Sequence, residues 1–235
     1  VNKSNLKISL NPKFNFLMIG TITSRNADDD RKNLFYSLKW FCEEFKNDKK
    51  VGLVLKACYG KGTKIDRQLT IDTIKQVLRE VRHSKFPKIT LIHGNMESRD
   101  IADLYKKDKI NVYVSGTKGE GYGLPMIEAA ASGMPVVATN WSGHLEFLEK
   151  GKFLGVDYTL EEIKKSRADN RIFIEGSKWA KISEKDFKRK IRDAKENYSI
   201  HKKNAKELQK NIHINFSKDK IMKMYSKIFS EIVNA

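Results

Sequence analysis

From Phe14 onward, short apolar runs alternate with longer stretches in which apolar residues recur every three or four positions. The short runs predict strands at Phe14–Ile19, Val51–Ala57, Ile89–His93, Val112–Ser115, Val136–Thr139 and Phe153–Val156. Between them, Leu34, Leu38, Phe41 and Phe45, and later Ile71, Ile74, Leu78 and Val81, fall at helical spacing, so each stripe can cover a sheet. Strands and helices in this alternation predict an α/β fold: a Rossmann-like parallel sheet with helices on both faces.

The pattern changes after Asp157. A polar, basic stretch containing Arg167-Ala168-Asp169-Asn170-Arg171 reads as a surface excursion. Helical spacing returns at Phe187, Ile191, Ala194 and Tyr198, and again at Ile221, Met224, Tyr225, Ile228 and Ile232. No repeat or low-complexity segment divides these pieces. We read residues 1–12, ending in Asn11-Pro12, as a linker or tether, and 13–235 as one domain that includes the C-terminal helices.

Composition narrows the class. With 235 residues, 40% hydrophobic and 32% charged, the chain can bury a core and is too apolar to be disordered. No apolar run approaches the roughly 20 residues that span a bilayer, and the stretch from Val1 to Leu6 lacks a signal peptide's apolar centre, so a cytoplasmic location is expected. Cys42 and Cys58 lack metal-ligand spacing and read as reduced, buried thiols. The net charge of +17 is concentrated late, with fifteen Lys or Arg against six Asp or Glu between Lys178 and Lys223. An exposed basic residue near an anionic leaflet adds about 1 kcal/mol, so a peripheral position at the inner face of a membrane is one expectation. Solvated lysine-rich helix faces explain the same charge equally well. Nucleic acid is a weaker partner, because no recognition module accompanies the charge.

Candidate chemistry concentrates in the stretch from Gly119 to Thr139. The apolar Val112-Tyr113-Val114 leads into Gly119-Glu120-Gly121-Tyr122-Gly123, and Leu124-Pro125 then opens a helix whose first-turn N–H groups can face an anion such as a diphosphate. Glu120 lies in the loop and Glu128 about one turn inside the helix, so the two carboxylates can flank one ligand. Glycine turns before Ala-rich helices also occur where glycine serves only the turn. The coincidence of Gly121, Gly123, Leu124-Pro125, Ala129 to Ala131 and the Val136-Val137 strand favours a sugar-nucleotide site.

At these residues the sequence resembles the retaining glycosyltransferases of the GT-B fold, most closely the large family 4 group. Their hallmark is Glu, Gly, an aromatic residue, Gly, Leu, Pro, two apolar residues and Glu, followed by small residues and a Gly-x-Pro-Val-Val strand. Glu120 through Val137 contains each element, and the resemblance continues through Trp141-Ser142-Gly143-His144-Leu145-Glu146-Phe147 to Phe216-Ser217. It implies the C-terminal, donor-binding half of a GT-B fold, transferring a sugar with retention from a nucleotide-sugar to a glycan or lipid-linked acceptor. An N-terminal acceptor domain, or a partner subunit, would supply the other half.

The resemblance also implies roles. Glu120 is the candidate catalytic residue and orients the donor sugar, Glu128 accepts from ribose hydroxyls, and Gly121, Tyr122, Gly123 and Leu124 complete the donor loop. Lys32 matches the family's diphosphate-binding lysine. Arg25 is a displaced candidate for its arginine, because Thr21 stands directly after Gly20. Gly94, in His93-Gly94-Asn95-Met96, occupies the turn where the family contacts the nucleotide base; an ordinary strand-to-helix turn is the equal alternative. His144 reads as structural or sugar-contacting.

Asp28-Asp29-Asp30 superficially suits the Asp-x-Asp metal motif of GT-A enzymes. Its place before a helix fits capping better, so metal-independent chemistry with no cofactor beyond the donor is expected. A GT-B sugar-nucleotide epimerase is the enzymatic alternative. A non-catalytic nucleotide-sugar or nucleic-acid binding module is the other class.

Overall fold

A computed structural model of the chain describes residues 6, 8–60, 62–82 and 84–233. In chain order the elements are β1 (Phe14–Thr21), α1 (Leu34–Glu44), β2 (Val51–Cys58), α2 (Lys64–Val81), β3 (Lys88–Ile92), α3 (Ser98–Lys106), β4 (Ile110–Ser115), α4 (Leu124–Ala131), β5 (Val136–Thr139), α5 (Leu145–Leu148) and β6 (Leu154–Val156). A hairpin, β7 (Tyr158–Glu162) and β8 (Lys178–Ile182), and three helices, α6 (Glu184–Glu196), α7 (Tyr198–Asn215) and α8 (Lys218–Val233), follow.

All six expected strands form one sheet in the order β3-β2-β1-β4-β5-β6, and every pair is parallel. Side chains alternate along each strand and fill two cores. Phe16, Met18, Leu53, Leu55, Val112 and Val114 pack on one face with α1, α2 and α6. Leu17, Val54 and Tyr113 pack on the other with α3, α4, α5 and α7. This is the expected Rossmann-like fold, covered on both faces.

The sequence left two features unread, the hairpin and α7. The excursion after Asp157 contains the antiparallel β7–β8 hairpin, in which Ala180 and Ile182 are buried. Helix α7 is mostly polar and contributes only a narrow stripe, Ala205, Leu208 and Ile212, to the core, too thin a signal for periodicity to reveal. Helix α8 has the expected stripe but buries none of its residues. In the stretch before β1, Leu10 is buried, and Asn15 Nδ2 donates to the carbonyls of Pro12 and Lys109, 2.8 Å each. Among the described residues no helix is long and apolar enough to cross a membrane.

Strand order fixes where a site can form. From β1 the chain proceeds outward to β2 and β3, then returns to place β4 on the other side of β1. The chain therefore leaves β1 and β4 toward opposite sides of the sheet, and the C-terminal ends of these two strands mark the crevice that is the usual ligand position in an open α/β sheet.

Candidate functional site

Two loops meet above this crevice. The first, after β1, is folded back by Asp30, which is fully buried. Thr23 donates to Asp30 Oδ1 from its N–H (3.0 Å) and hydroxyl (2.7 Å), and Asp30 Oδ2 accepts the Leu34 N–H at the start of α1 (2.8 Å). The Arg31 N–H in turn donates to Thr23 Oγ1 at 2.9 Å. This fold-back sends Arg31 and Lys32 toward the second loop. Arg25 is exposed.

The second loop, after β4, presents Glu120. Lys32 Nζ lies 2.6 and 2.8 Å from the two carboxylate oxygens, and Arg31 Nη1 lies 3.3 Å from Oε2 while also donating to the Gly119 carbonyl. The Glu120 side chain is only 8% exposed. Burial opposes ionisation, but the Lys32 charge and hydrogen bonds, with help from Arg31, outweigh it and hold the carboxyl below its ordinary value.

Behind Glu120 the backbone is braced by the turn after β5. Ser142 Oγ accepts the Glu120 N–H (2.8 Å) and donates to the Glu120 carbonyl (2.6 Å). Gly143 permits this approach, because a Cβ there would stand 2.0 Å from the Gly121 carbonyl oxygen. Gly123 caps α4 at φ 90°, and a Cβ there would meet the His144 Cβ at 2.9 Å. His144 is buried, with Nε2 2.7 Å from the Thr139 carbonyl; burial lowers its pKa and keeps the ring neutral. It holds the turn together and does not face the crevice as a charge.

The amides of Gly123 and Leu124 have no hydrogen-bond partner among the described residues, so the first turn of α4 keeps unpaired donors beside the exposed Leu124. One turn on, Glu128 is exposed, and the Tyr105 hydroxyl lies 3.0 Å from its Oε2 and from the Pro125 carbonyl. Burial, then Tyr113 and Glu128, push the Tyr105 phenol upward, so it stays a neutral donor. Gly121 is exposed, Leu124 is 63% exposed, and the Tyr122 ring rests on Phe147 with centroids 5.3 Å apart. Gly94 turns the chain at the end of the edge strand β3, close to Gly62.

The structure thus brings Lys32 and Glu120 together beside the Gly121–Leu124 loop, and among the described residues Arg25 makes no hydrogen bond or ion pair with them. Arg31, immediately before Lys32, is the arginine whose side chain reaches the Glu120 loop. Ser142 was also missed, since nothing in its neighbours marks it as a backbone brace. Asp30 acts as a cap, and among the described residues no group of three His, Cys, Asp or Glu side chains is placed to hold a metal ion.

The model of the family described as glycosyl transferases group 1 matches residues 74–212, more than half of the chain. The chain belongs to this family, whose members have the GT-B fold. A sucrose synthase of Denitrovibrio acetiphilus is 28% identical over 176 residues, covering 68% of this chain and 21% of that protein. The chain therefore spans about a fifth of this curated relative. Among solved structures, the C-terminal domain of a group 1 glycosyl transferase from Francisella tularensis superposes with a TM-score of 0.60 at 16% identity, covering 87% of each chain. Anabaena HepE, solved with UDP and glucose, gives 0.63 at 13% identity, covering 94% of this chain and 49% of that one. At these identities the structures share the fold.

Proposed function

We propose that this group 1 glycosyltransferase chain is a donor-binding domain that holds a nucleotide-sugar across the β1–β4 crevice. The observation that carries this reading is the convergence of Lys32 and Arg31 on Glu120, beside the open N-terminus of α4. The donor diphosphate sits between Lys32, Arg31 and the Gly123 and Leu124 amides. Glu128, held by Tyr105, accepts from the ribose hydroxyls. Glu120 exchanges part of its contact with the two cations for the hydroxyls of the transferred sugar.

As the glycosidic bond breaks, negative charge collects on the leaving diphosphate and the sugar gains oxocarbenium character. The cations and amides stabilise the first. Retention follows from front-face displacement: the acceptor hydroxyl attacks the anomeric carbon on the face from which the diphosphate departs and passes its proton to the leaving phosphate oxygen. Glu120 orients the sugar and forms no covalent bond to it. The acceptor, a glycan or lipid-linked sugar, is presented by an acceptor half in the same polypeptide or a partner subunit, and no metal is required.

Calorimetry with UDP-, GDP- and ADP-sugars tests this reading. Selective binding of one nucleotide series supports it, and the UDP series is the first to try because HepE was solved with UDP. Failure of all three, with salt-sensitive binding to arbitrary nucleic acid instead, would overturn it.

A further inference from the structure

Beside the donor loop, between α1 and the β7–β8 hairpin, lies a second cavity of about 580 Å³. That volume falls within the roughly 300–1,000 Å³ typical of small-molecule sites. The backbone of Lys118 forms the wall between cavity and crevice: its N–H donates to the Arg31 carbonyl and its own carbonyl accepts the Ala180 N–H, both at 2.9 Å. Its side chain reaches into the cavity wall, to the Asp28 carbonyl.

Three aromatic side chains line this space: Tyr36, Trp40 and Trp179. Tyr36 and Trp40 stack with centroids 5.6 Å apart, and Phe173 braces Trp179 edge-on at 5.2 Å. Rings fixed in this way offer apolar surface that loses little freedom when a ligand arrives.

Charge then selects the ligand class. Five carboxylates and three lysines line the cavity, so its formal charge is negative in a chain of net charge +17. Phosphates, nucleotides and anionic lipids are disfavoured there. A neutral polyhydroxylated ligand suits it, with C–H faces on the rings and hydroxyls bonded to carboxylates and lysines. Asn33 adds an independent sign. It lines the cavity, is 1% exposed, and neither its Nδ2 nor its Oδ1 has a partner among the described residues. Asn33 therefore keeps donor and acceptor capacity that the protein leaves unused, buried just behind the cavity surface and reached by a ligand only when its side chain turns outward.

We propose that the hairpin cavity is a carbohydrate subsite, separate from the donor site, that takes a neutral sugar unit of the acceptor. Its role in transfer rests on the function proposed above; sugar binding itself can be measured without that reading. Saturation-transfer NMR on the 235-residue chain, with maltose, cellobiose, lactose and sucrose as probes, provides the test. At least one disaccharide should give a signal that persists in saturating UDP. Trp179→Ala should weaken that disaccharide at least about tenfold. Glu162→Ala, at an exposed position with no ion pair among the described residues, should weaken it several-fold, and decides the matter if the tryptophan variant fails to fold. Absence of signal from all four sugars, displacement of the sugar by UDP, or unchanged binding in folded variants would each overturn the proposal. A Trp179-dependent sugar signal in a protein that binds no nucleotide-sugar would keep the subsite and remove the transferase role.

Discussion

The sheet rim and the last helix break the usual burial rule in opposite directions. At the rim, the side chains of Glu120, Lys32 and Arg31 are only 8%, 19% and 24% exposed, so three ions are largely withdrawn from water. On α8, Tyr225, Phe229 and Ile232 are 55%, 60% and 66% exposed, so apolar surface is left in water. Neither arrangement adds much to the stability of the domain, since enclosed ions lose hydration and an uncovered apolar stripe gains no burial. The two cores stabilise the fold, and these regions are shaped by other demands. At the rim the proposed function supplies the demand: cations already gathered and oriented would meet a donor diphosphate with little reorganisation.

The largest expected effect tests whether the rim is sufficient for chemistry. The 235-residue chain should bind donor but transfer sugar poorly, because near-attack alignment of donor and acceptor supplies about 7–11 kcal/mol in favourable cases and one donor domain forfeits most of it. A transferase assay with and without the acceptor half decides this. Turnover by the chain alone at the rate of a complete two-domain enzyme would show that the rim needs no second half.

Removing the enclosed carboxylate comes next. Glu120→Ala should cost about 1.5–3 kcal/mol of nucleotide-sugar affinity and leave the bare nucleotide diphosphate bound, as expected for a charge-assisted contact to the sugar. Equal loss for both ligands would assign Glu120 to the loop's structure instead. Acid provides a second handle. The folded carboxyl titrates below its ordinary value of 4.5, so its contribution to stability is complete above that value and is lost as pH falls through the lower, folded one. Wild type should therefore melt above Glu120→Gln at neutral pH, with the gap closing only in acid below 4.5. A gap that stays constant down to strong acid would mean that the ion pairs with Lys32 and Arg31 do not form.

Glu128 should matter less. It is exposed and, among the described residues, its side chain has one neutral donor, Tyr105, so Glu128→Gln removes a charge-assisted contact in a hydrated setting. We expect weaker binding of nucleotide diphosphate and full donor alike, by about 1 kcal/mol or five- to tenfold. Calorimetry that finds both affinities unchanged would place Glu128 outside the site.

Most of the fold was legible because each buried strand is a short apolar run and each covering helix has a clear stripe. Phe14–Thr21 and Val51–Cys58 begin at their expected residues, and Val136–Thr139 matches at both ends. The glycine loop was legible for a different reason: Gly123 and Gly143 sit where a Cβ would collide with its neighbours, so composition reports geometry directly. Contacts made between distant segments were harder to read. Arg31 reaches Glu120 because Thr23 and Asp30 bend the loop, and no periodicity encodes a hydrogen bond across seven residues. Likewise Ser142 reaches Glu120 across twenty-two positions, and the β7–β8 hairpin is set by pairing that its polar sequence only weakly signals.

Helix α8 gives the smallest expected effect and the sharpest contrast with the cores. Its stripe has the same spacing as that of α1, yet Ile228 is 49% exposed and Ile232 66%, whereas Leu38 and Phe41 in α1 are 2% and 0% exposed. Periodicity reports that a helix has an apolar face, and only packing reports whether anything covers it. If α8 adds nothing to the domain, Ile228→Lys and Ile232→Lys should each change its unfolding free energy by no more than about 0.5 kcal/mol, the range for surface positions. Phe41→Ala, in contrast, should cost about 3–5 kcal/mol. Urea denaturation of the three variants makes the comparison. A loss above about 2 kcal/mol from either lysine variant would mean that the α8 stripe is buried within the domain in solution, and the contrast with α1 would disappear.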